Sequence, residues 1–158
     1  RKAEVIEARW SEFDLTSHVW EIPTARMKAH RPHWVPLSRQ AMVLLTQLRQ
    51  MTPAGREHLF PNRRDPRRPM ANRSLNALMD RLGFGGVGTP HGMRAAFSTH
   101  FNSMGANVDV IEHCLAHVPL NAVRAAYNRH LYQAERRDML QQWADHLDAL
   151  KGGQCATS

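Results

Sequence analysis

Thr89-Pro90-His91-Gly92-Met93-Arg94 holds a His-x-x-Arg pair, and the chain runs on from it through His117 to Tyr127. Imidazoles, a guanidinium and a phenol in this succession suit attack on a phosphodiester by a tyrosine. The Tyr127 hydroxyl is the candidate nucleophile. The cation and the imidazoles are candidates for holding phosphate oxygens as negative charge builds on them. A helix is predicted from about His91 to Met104. At 100° per residue, Met93, Ala96, Phe97, Phe101 and Met104 share one face, with His91, Arg94 and Ser98 opposite. The helix should bury one side and present His91 and Arg94 on the other, and Gly105 should end it.

Downstream, Asn107 is placed to cap a helix with Val108, Ile111 and Leu115 inward, stopping around His117-Val118-Pro119. Another helix is expected from about Asn121 through Tyr127. A last one, about Gln133 to Leu150, should bury Met139, Leu140, Trp143, Leu147 and Leu150 behind a polar start, Glu135-Arg136-Arg137-Asp138. Gly152-Gly153 should release the tail.

Upstream, residues 2–10 read as the end of a helix closing near Trp10, and Asp14 to Ser17 as a turn. His18-Val19-Trp20-Glu21-Ile22 alternates like a strand and stops at Pro23; His33-Trp34-Val35-Pro36-Leu37 is a second short strand. Between them lie Arg26, Lys28, His30 and Arg31, either a cationic hairpin tip or a solvated basic loop. Ser38 caps a helix with Ala41, Leu44, Leu45 and Leu48 as its apolar stripe. Leu59-Phe60-Pro61 is a buried anchor. The next loop carries Arg63, Arg64, Arg67 and Arg68 against Asp65 and suits a phosphate backbone or open solvent equally. A further helix repeats the stripe with Leu75, Leu78, Met79 and Leu82. Gly83-Phe84-Gly85-Gly86-Val87-Gly88 is not a phosphate loop, because no Gly-Lys-Ser/Thr follows and no apolar strand precedes it.

At 158 residues, 42% of them hydrophobic, the chain is long enough for one domain with a real core. The net charge is +7 and arginine far outnumbers lysine. Nucleic acid explains that balance better than an anionic membrane or plain solubility. No apolar run approaches a membrane span, and no signal peptide is visible. Cys114 and Cys155 make no disulfide framework and fit a reducing compartment. The uncapped opening, Arg1-Lys2-Ala3-Glu4-Val5-Ile6, reads as mid-helix and suggests a fragment of a longer protein. His113, Cys114 and His117 lie close in sequence, but no accompanying zinc motif supports a metal site.

Taken in order, the motifs resemble those of the tyrosine recombinases, in particular the integrases of prophages and genomic islands. Arg1-x-x-Glu4 followed by Trp10 resembles the family's first-arginine motif. Arg26-Met27-Lys28 before His33-x-Val35-Pro36-Leu37 resembles the hairpin with the catalytic lysine. Thr89 to Arg94 resembles the His-x-x-Arg box, Leu115-Ala116-His117 the second histidine, and Ala125-Ala126-Tyr127-Asn128-Arg129 the nucleophile segment. Arg136-Arg137 to Trp143-Ala144-Asp145 has the look of these integrases too. Nearly the whole chain is covered.

The resemblance implies an α+β fold, mainly α-helical, with a small antiparallel sheet or hairpin near the N-terminus. Residues 1–150 would be the catalytic domain and 151–158 a tail. It implies site-specific breakage and rejoining of DNA through a 3′-phosphotyrosyl link on Tyr127, without metal, ATP or other cofactor. Arg1 and Arg94 would clamp the non-bridging oxygens as forks. His91 and His117 would donate to the phosphate or assist proton transfer. Lys28 would protonate the leaving oxygen, a role to which Arg26 and Arg31 are unsuited because arginine hardly deprotonates. Glu4 would support the site. Tyr132 is the rival nucleophile on the residues alone, and the resemblance favours Tyr127. Arg26, Arg31, Arg63, Arg64, Arg67, Arg68 and Arg73 would contact DNA. The implied partners are double-stranded attachment sites and a homo-tetramer on DNA, the 133–150 helix either exchanging between subunits or packing on its own chain, in the nucleoid of a bacterial cytoplasm. A non-catalytic DNA-binding relative and a type IB topoisomerase-like relaxing enzyme are the competing readings.

Overall fold

Buried charge, as much as apolar burial, shapes the first turn of the chain. In the computed structural model, which describes residues 1–27, 32–117 and 132–153, helix α1 (Lys2–Ile6) buries Glu4 and Ile6. The Glu4 carboxylate accepts from the Arg1 backbone nitrogen at 2.6 Å and from its guanidinium at 2.9 Å. The helix stops at Ile6 rather than near Trp10, because residues 8–10 pair with another segment. Leu59 donates its N–H to Ala8 O at 2.8 Å, Trp10 donates to Glu57 O at 2.9 Å, and Arg9 bridges His58. Ala8 is thereby sealed at 0% exposure.

Strands β1 (Phe13–Asp14), β2 (Val19–Ile22) and β3 (His33–Pro36) form a three-stranded antiparallel sheet in that order. The Asp14 carboxylate closes the first connection by accepting from the Thr16 and Ser17 N–H groups, as an Asx turn does. Phe13 faces Trp20 in the register, and their rings stack with centroids 5.3 Å apart. Helix α2 (Arg39–Met51) starts at Ser38, whose hydroxyl accepts from Ala41 N. Ala41, Met42, Leu45 and Leu48 turn inward while Leu44 stays exposed, so the stripe is rotated from the expected one. Ala8, Leu45 and Leu59 centre a first cluster, with Trp10, Phe13, Trp20 and Phe60 packed around it.

Helix α3 (Asn72–Arg81) is present, yet Leu78 and Leu82 are exposed and only Leu75 and Met79 are half-buried. Helix α4 (Pro90–Ser103) begins with Thr89 accepting from Gly92 N and Pro90 in its first turn, where a missing N–H costs nothing. Helices α5 (Val108–Cys114) and α6 (Gln133–Gly153) pack with α4 around a second cluster: Phe97, Phe101, Val110, Ile111, Leu115 and Met139. Burying each of the larger members contributes about 1.5–3 kcal/mol. Trp143 meets Phe97 edge-on at 5.6 Å.

The helical faces differ from expectation in detail. In α4, Met93 and Met104 are exposed, and the inward line runs Arg94, Phe97, Phe101. In α5, Val110 takes the inward place expected of Val108. In α6, Leu147 and Leu150 are exposed, whereas Arg136 from the polar start is buried and donates to the Trp34 carbonyl of β3. Lys28, Arg31, the expected helix from Asn121, Tyr127 and the tail from 154 lie outside the described residues.

Candidate active site

The last turn of α5 sets the geometry. Ala116 N–H donates to His113 O at 3.2 Å and His117 N–H to Glu112 O at 2.9 Å, with Ala116 at φ +52°. This is a Schellman ending, with alanine where glycine is usual. It wraps the chain so that His117 returns over Glu112. The His117 Nδ1 lies 2.6 Å from the Glu112 carboxylate.

Two arginines from different elements converge on the carbonyls of this turn. Arg1, at the start of α1, donates Nη2 to Ala116 O at 3.1 Å. Arg94, from α4, donates Nη2 to Leu115 O, and the same nitrogen lies 3.3 Å from His117 Nε2. A helix C-terminus concentrates partial negative charge on its unpaired carbonyls, which suits cations there. Burial pushes the Arg94 guanidinium below its ordinary range, Arg1's charge adds to that, and Glu4 and Glu112 oppose it. Burial pushes the Glu4 carboxyl upward, but the hydrogen bond and charge of the ammonium group at Arg1 N, and after them those of the Arg1 guanidinium, outweigh it and hold Glu4 below the usual carboxylate value. Glu4 is therefore an anion fixing Arg1.

His91 sits one turn before Arg94 and is exposed. Arg94 is half-buried beside Phe97, so the pair straddles the edge of the buried face instead of lying opposite it. Arg1, Lys2, Asn76, Thr89, Pro90, His91 and Arg94 line an open cleft of about 390 Å³. Lys2 donates to Asn76 Oδ1 at 2.9 Å across it. Arg1, Glu4, His91, Arg94 and His117 thus come together from α1, α4 and the end of α5. Lys28 and Tyr127 lie outside the described residues. Tyr132 packs on the helical cluster, its ring against His113 and its hydroxyl 3.5 Å from Asp109.

Sequence reasoning missed Glu112, Lys2 and Asn76. Glu112 and His117 are five apart, about 140° around an ideal helix, and only the Schellman wrap brings them together. Lys2 and Asn76 meet through tertiary packing alone.

The basic loop is a built structure. Asn62 N–H donates to Arg68 O, the Asn62 side chain accepts from Arg64 N and Asp65 N, and buried His58 donates Nε2–H to Arg67 O at 3.2 Å. Arg63, Arg64, Arg67, Arg68 and, on α3, Arg73 are exposed. Arg26 is different. Its side chain is only 12% exposed, pairs with Glu12 and Glu7, and donates to Glu4 O. Its charge ties the start of the hairpin connection to α1, and it is not among the exposed arginines. His113 and Cys114 are turned to Asp109 O and Arg136. Among the described residues no group of three or more His, Cys, Asp or Glu side chains is arranged to hold a metal ion.

The profile of the Phage integrase family matches residues 1–134. Prophage integrase IntA of Escherichia coli (strain K12) is 47% identical over 153 residues, covering 97% of this chain and 37% of its own length. The integrase of Shigella phage Sf6 is 34% identical over 148 residues, 94% of this chain and 38% of its own. The chain therefore spans little more than a third of these relatives. The crystal structure of XerA recombinase matches with a TM-score of 0.60 at 19% identity, over 90% of this chain and 51% of that one. That likeness is one of fold: a small antiparallel sheet beside a helical body. With the family profile spanning most of its residues and the guanidinium–imidazole site assembled from the expected motifs, the chain belongs to the phage integrase family.

Proposed function

We propose that this chain is the catalytic part of a site-specific DNA recombinase that integrates or excises a mobile element such as a prophage or genomic island. The observation that carries the reading is the convergence of Arg1 and Arg94 on the turn that presents His117, with His91 on the same cleft. Two forked cations on one cleft, with His91 beside them and His117 held against Arg94, suit a phosphate whose equatorial oxygens gain charge in the transition state. Tyr127 is the nucleophile. Its oxygen forms a bond to phosphorus as the bond to the 5′-oxygen breaks, and the phenolic proton passes to an imidazole. Lys28 supplies the proton taken up by the departing 5′-oxygen. The 3′-phosphotyrosyl link stores the bond energy, so the reaction runs without ATP, and the cations do the work a metal would do. Tyr132's place against the helical cluster supports Tyr127 over it.

The DNA partner is a double-stranded attachment site, with Arg31, Arg63, Arg64, Arg67, Arg68 and Arg73 on its backbone. The working assembly is a tetramer on DNA, in the nucleoid of a bacterial cytoplasm. Among the described residues no helix is long and apolar enough to cross a membrane.

The test uses a nicked attachment-site duplex in the presence of a chelator, scored for a protein–DNA adduct on a denaturing gel. The protein carrying this chain should form the adduct and its Tyr127→Phe variant should not, while both bind DNA. An adduct that persists in Tyr127→Phe assigns the wrong nucleophile. Binding without any adduct makes the chain a non-catalytic relative.

A further inference from the structure

The hydrogen-bond partners of His117 go beyond the residues assigned above. Its Nε2 lies 3.3 Å from Arg94 Nη2 and its Nδ1 lies 2.6 Å from Glu112 Oε2. A guanidinium nitrogen only donates, so Nε2 carries the lone pair and Nδ1 carries the proton. That proton points at the carboxylate. Glu112 also accepts the His117 backbone N–H through its own carbonyl at 2.9 Å. One residue therefore grips His117 at backbone and ring, and the Schellman wrap makes both contacts possible. The other charged groups around the ring come from separate elements: Arg94 from α4, and Arg1 from α1, which holds the neighbouring Ala116 carbonyl with Glu4 behind it.

We propose that Glu112 is the positioning residue for His117, holding the neutral imidazole as its Nδ1–H tautomer so that the Nε2 lone pair faces the Arg94 guanidinium. This rests on the reading of His117 as a proton-handling group of the recombinase. In the DNA-free site Arg94 covers that lone pair. When a phosphate takes over Arg94's donors, Nε2 is exposed as the acceptor for the Tyr127 proton. The carboxylate behind Nδ1–H then stabilises the resulting imidazolium. A ring free to adopt the opposite tautomer would present an N–H to the nucleophile and could not take its proton.

The experiment compares wild type, Glu112→Gln and Glu112→Ala in the protein that carries this chain. Imidazole ¹⁵N chemical shifts of DNA-free protein at pH 8 report the His117 tautomer, with His117→Asn used to assign the signals. Single-turnover adduct formation at saturating DNA reports the chemistry. Wild type should show Nδ1–H. Glutamine keeps an acceptor at Oε1 and should keep that tautomer, while the lost carboxylate charge should place its adduct rate between those of wild type and Glu112→Ala. Alanine should release the ring toward Nε2–H and slow adduct formation by roughly tenfold or more, with DNA binding and melting temperature little changed. Nδ1–H retained in Glu112→Ala, or an adduct rate equal to wild type, overturns the proposal. The tautomer is read without DNA. An adduct missing even from wild type would therefore count against the recombinase reading alone and leave the assignment of Glu112 to be judged on the spectra.

Discussion

Ala116 stands at φ +52° in the turn that both arginines grip. For a residue with a Cβ, that left-handed region costs on the order of 1–2 kcal/mol, while glycine enters it freely and loses more chain entropy on folding. Ala116→Gly should therefore gain about 1 kcal/mol, seen as a melting temperature raised by about 2–4 °C, and Ala116→Val should fall below wild type. Equal melting of all three would mean the turn is not held in this conformation. A second single-residue effect belongs to His33 on β3. Burial first, then Arg136's charge, press its imidazole down to about 4, with Glu4 opposing. The folded protein keeps His33 neutral where the unfolded chain, titrating near 6.5, has already taken up a proton. Its contribution is complete above about pH 6.5 and is lost as pH falls toward 4. Between pH 8 and pH 5 that amounts to about 2 kcal/mol. Urea unfolding at both values should show the loss in wild type and a smaller one in His33→Gln. Parallel curves for the two proteins would exclude His33 as the source.

At the scale of elements, the loop from Asn62 to Pro69 and the first turn of α3 form the basic surface. Their arginines stand free of the core, on a loop pinned by His58 and Asn62. Each phosphate contact removed should flatten the slope of log K against log salt by about 0.9. Replacing Arg63, Arg64, Arg67 and Arg68 by Gln should lower affinity for specific and non-specific duplexes alike, since phosphate contacts carry no sequence information. Arg68, 3.7 Å from Asp65, should contribute least when changed singly. An unchanged salt slope in the quadruple variant would place the DNA elsewhere. Elements of this kind were legible because their signals are local: the Ser38 and Asn107 helix starts, the alternating strands, the arginine run. Helix faces were less so. The periodicity of α4 ranked Met93 and Met104 as core and Arg94 as solvent-facing, yet Arg94 lies on the inward line because the α5 carbonyls give its guanidinium a polar partner there. Arg136 escaped notice for the same reason: its place is set by the Trp34 carbonyl on a distant strand. Arg26 reads as a free cation until Glu12 and Glu7 close on it. Polar partners made by tertiary contact leave no trace in spacing.

On the scale of the whole molecule, the candidate site lies where two packing units meet. Ala8, Leu45 and Leu59 centre one, beside the sheet; Phe97, Phe101 and Ile111 belong to the other, among α4, α5 and α6. Polar links join them: Arg136 to Trp34 O, Arg39 and Gln40 to Asp145, and Arg1 to Ala116 O. Arg1 comes from the first unit and Arg94 and His117 from the second, so their charges are opposed across the junction, and part of Arg94's depressed basicity comes from Arg1. An oxyanion between the guanidiniums would relieve that repulsion and tie the units together. Sulfate at ten times its dissociation constant would add about 1.4 kcal/mol to stability, a rise of about 3–5 °C in melting temperature for a chain of this size. The comparison is with chloride at matched ionic strength, in wild type, Arg1→Gln and Arg94→Gln, each against its own chloride baseline. Sulfate also favours compact states by exclusion from the surface, and that effect is common to all three proteins. The excess seen in wild type and missing from both variants is the part that belongs to the cleft. If all three rise equally, Arg1 and Arg94 do not act together on an oxyanion, and the phosphate clamp inferred from their convergence would have to be built by other residues once DNA is bound.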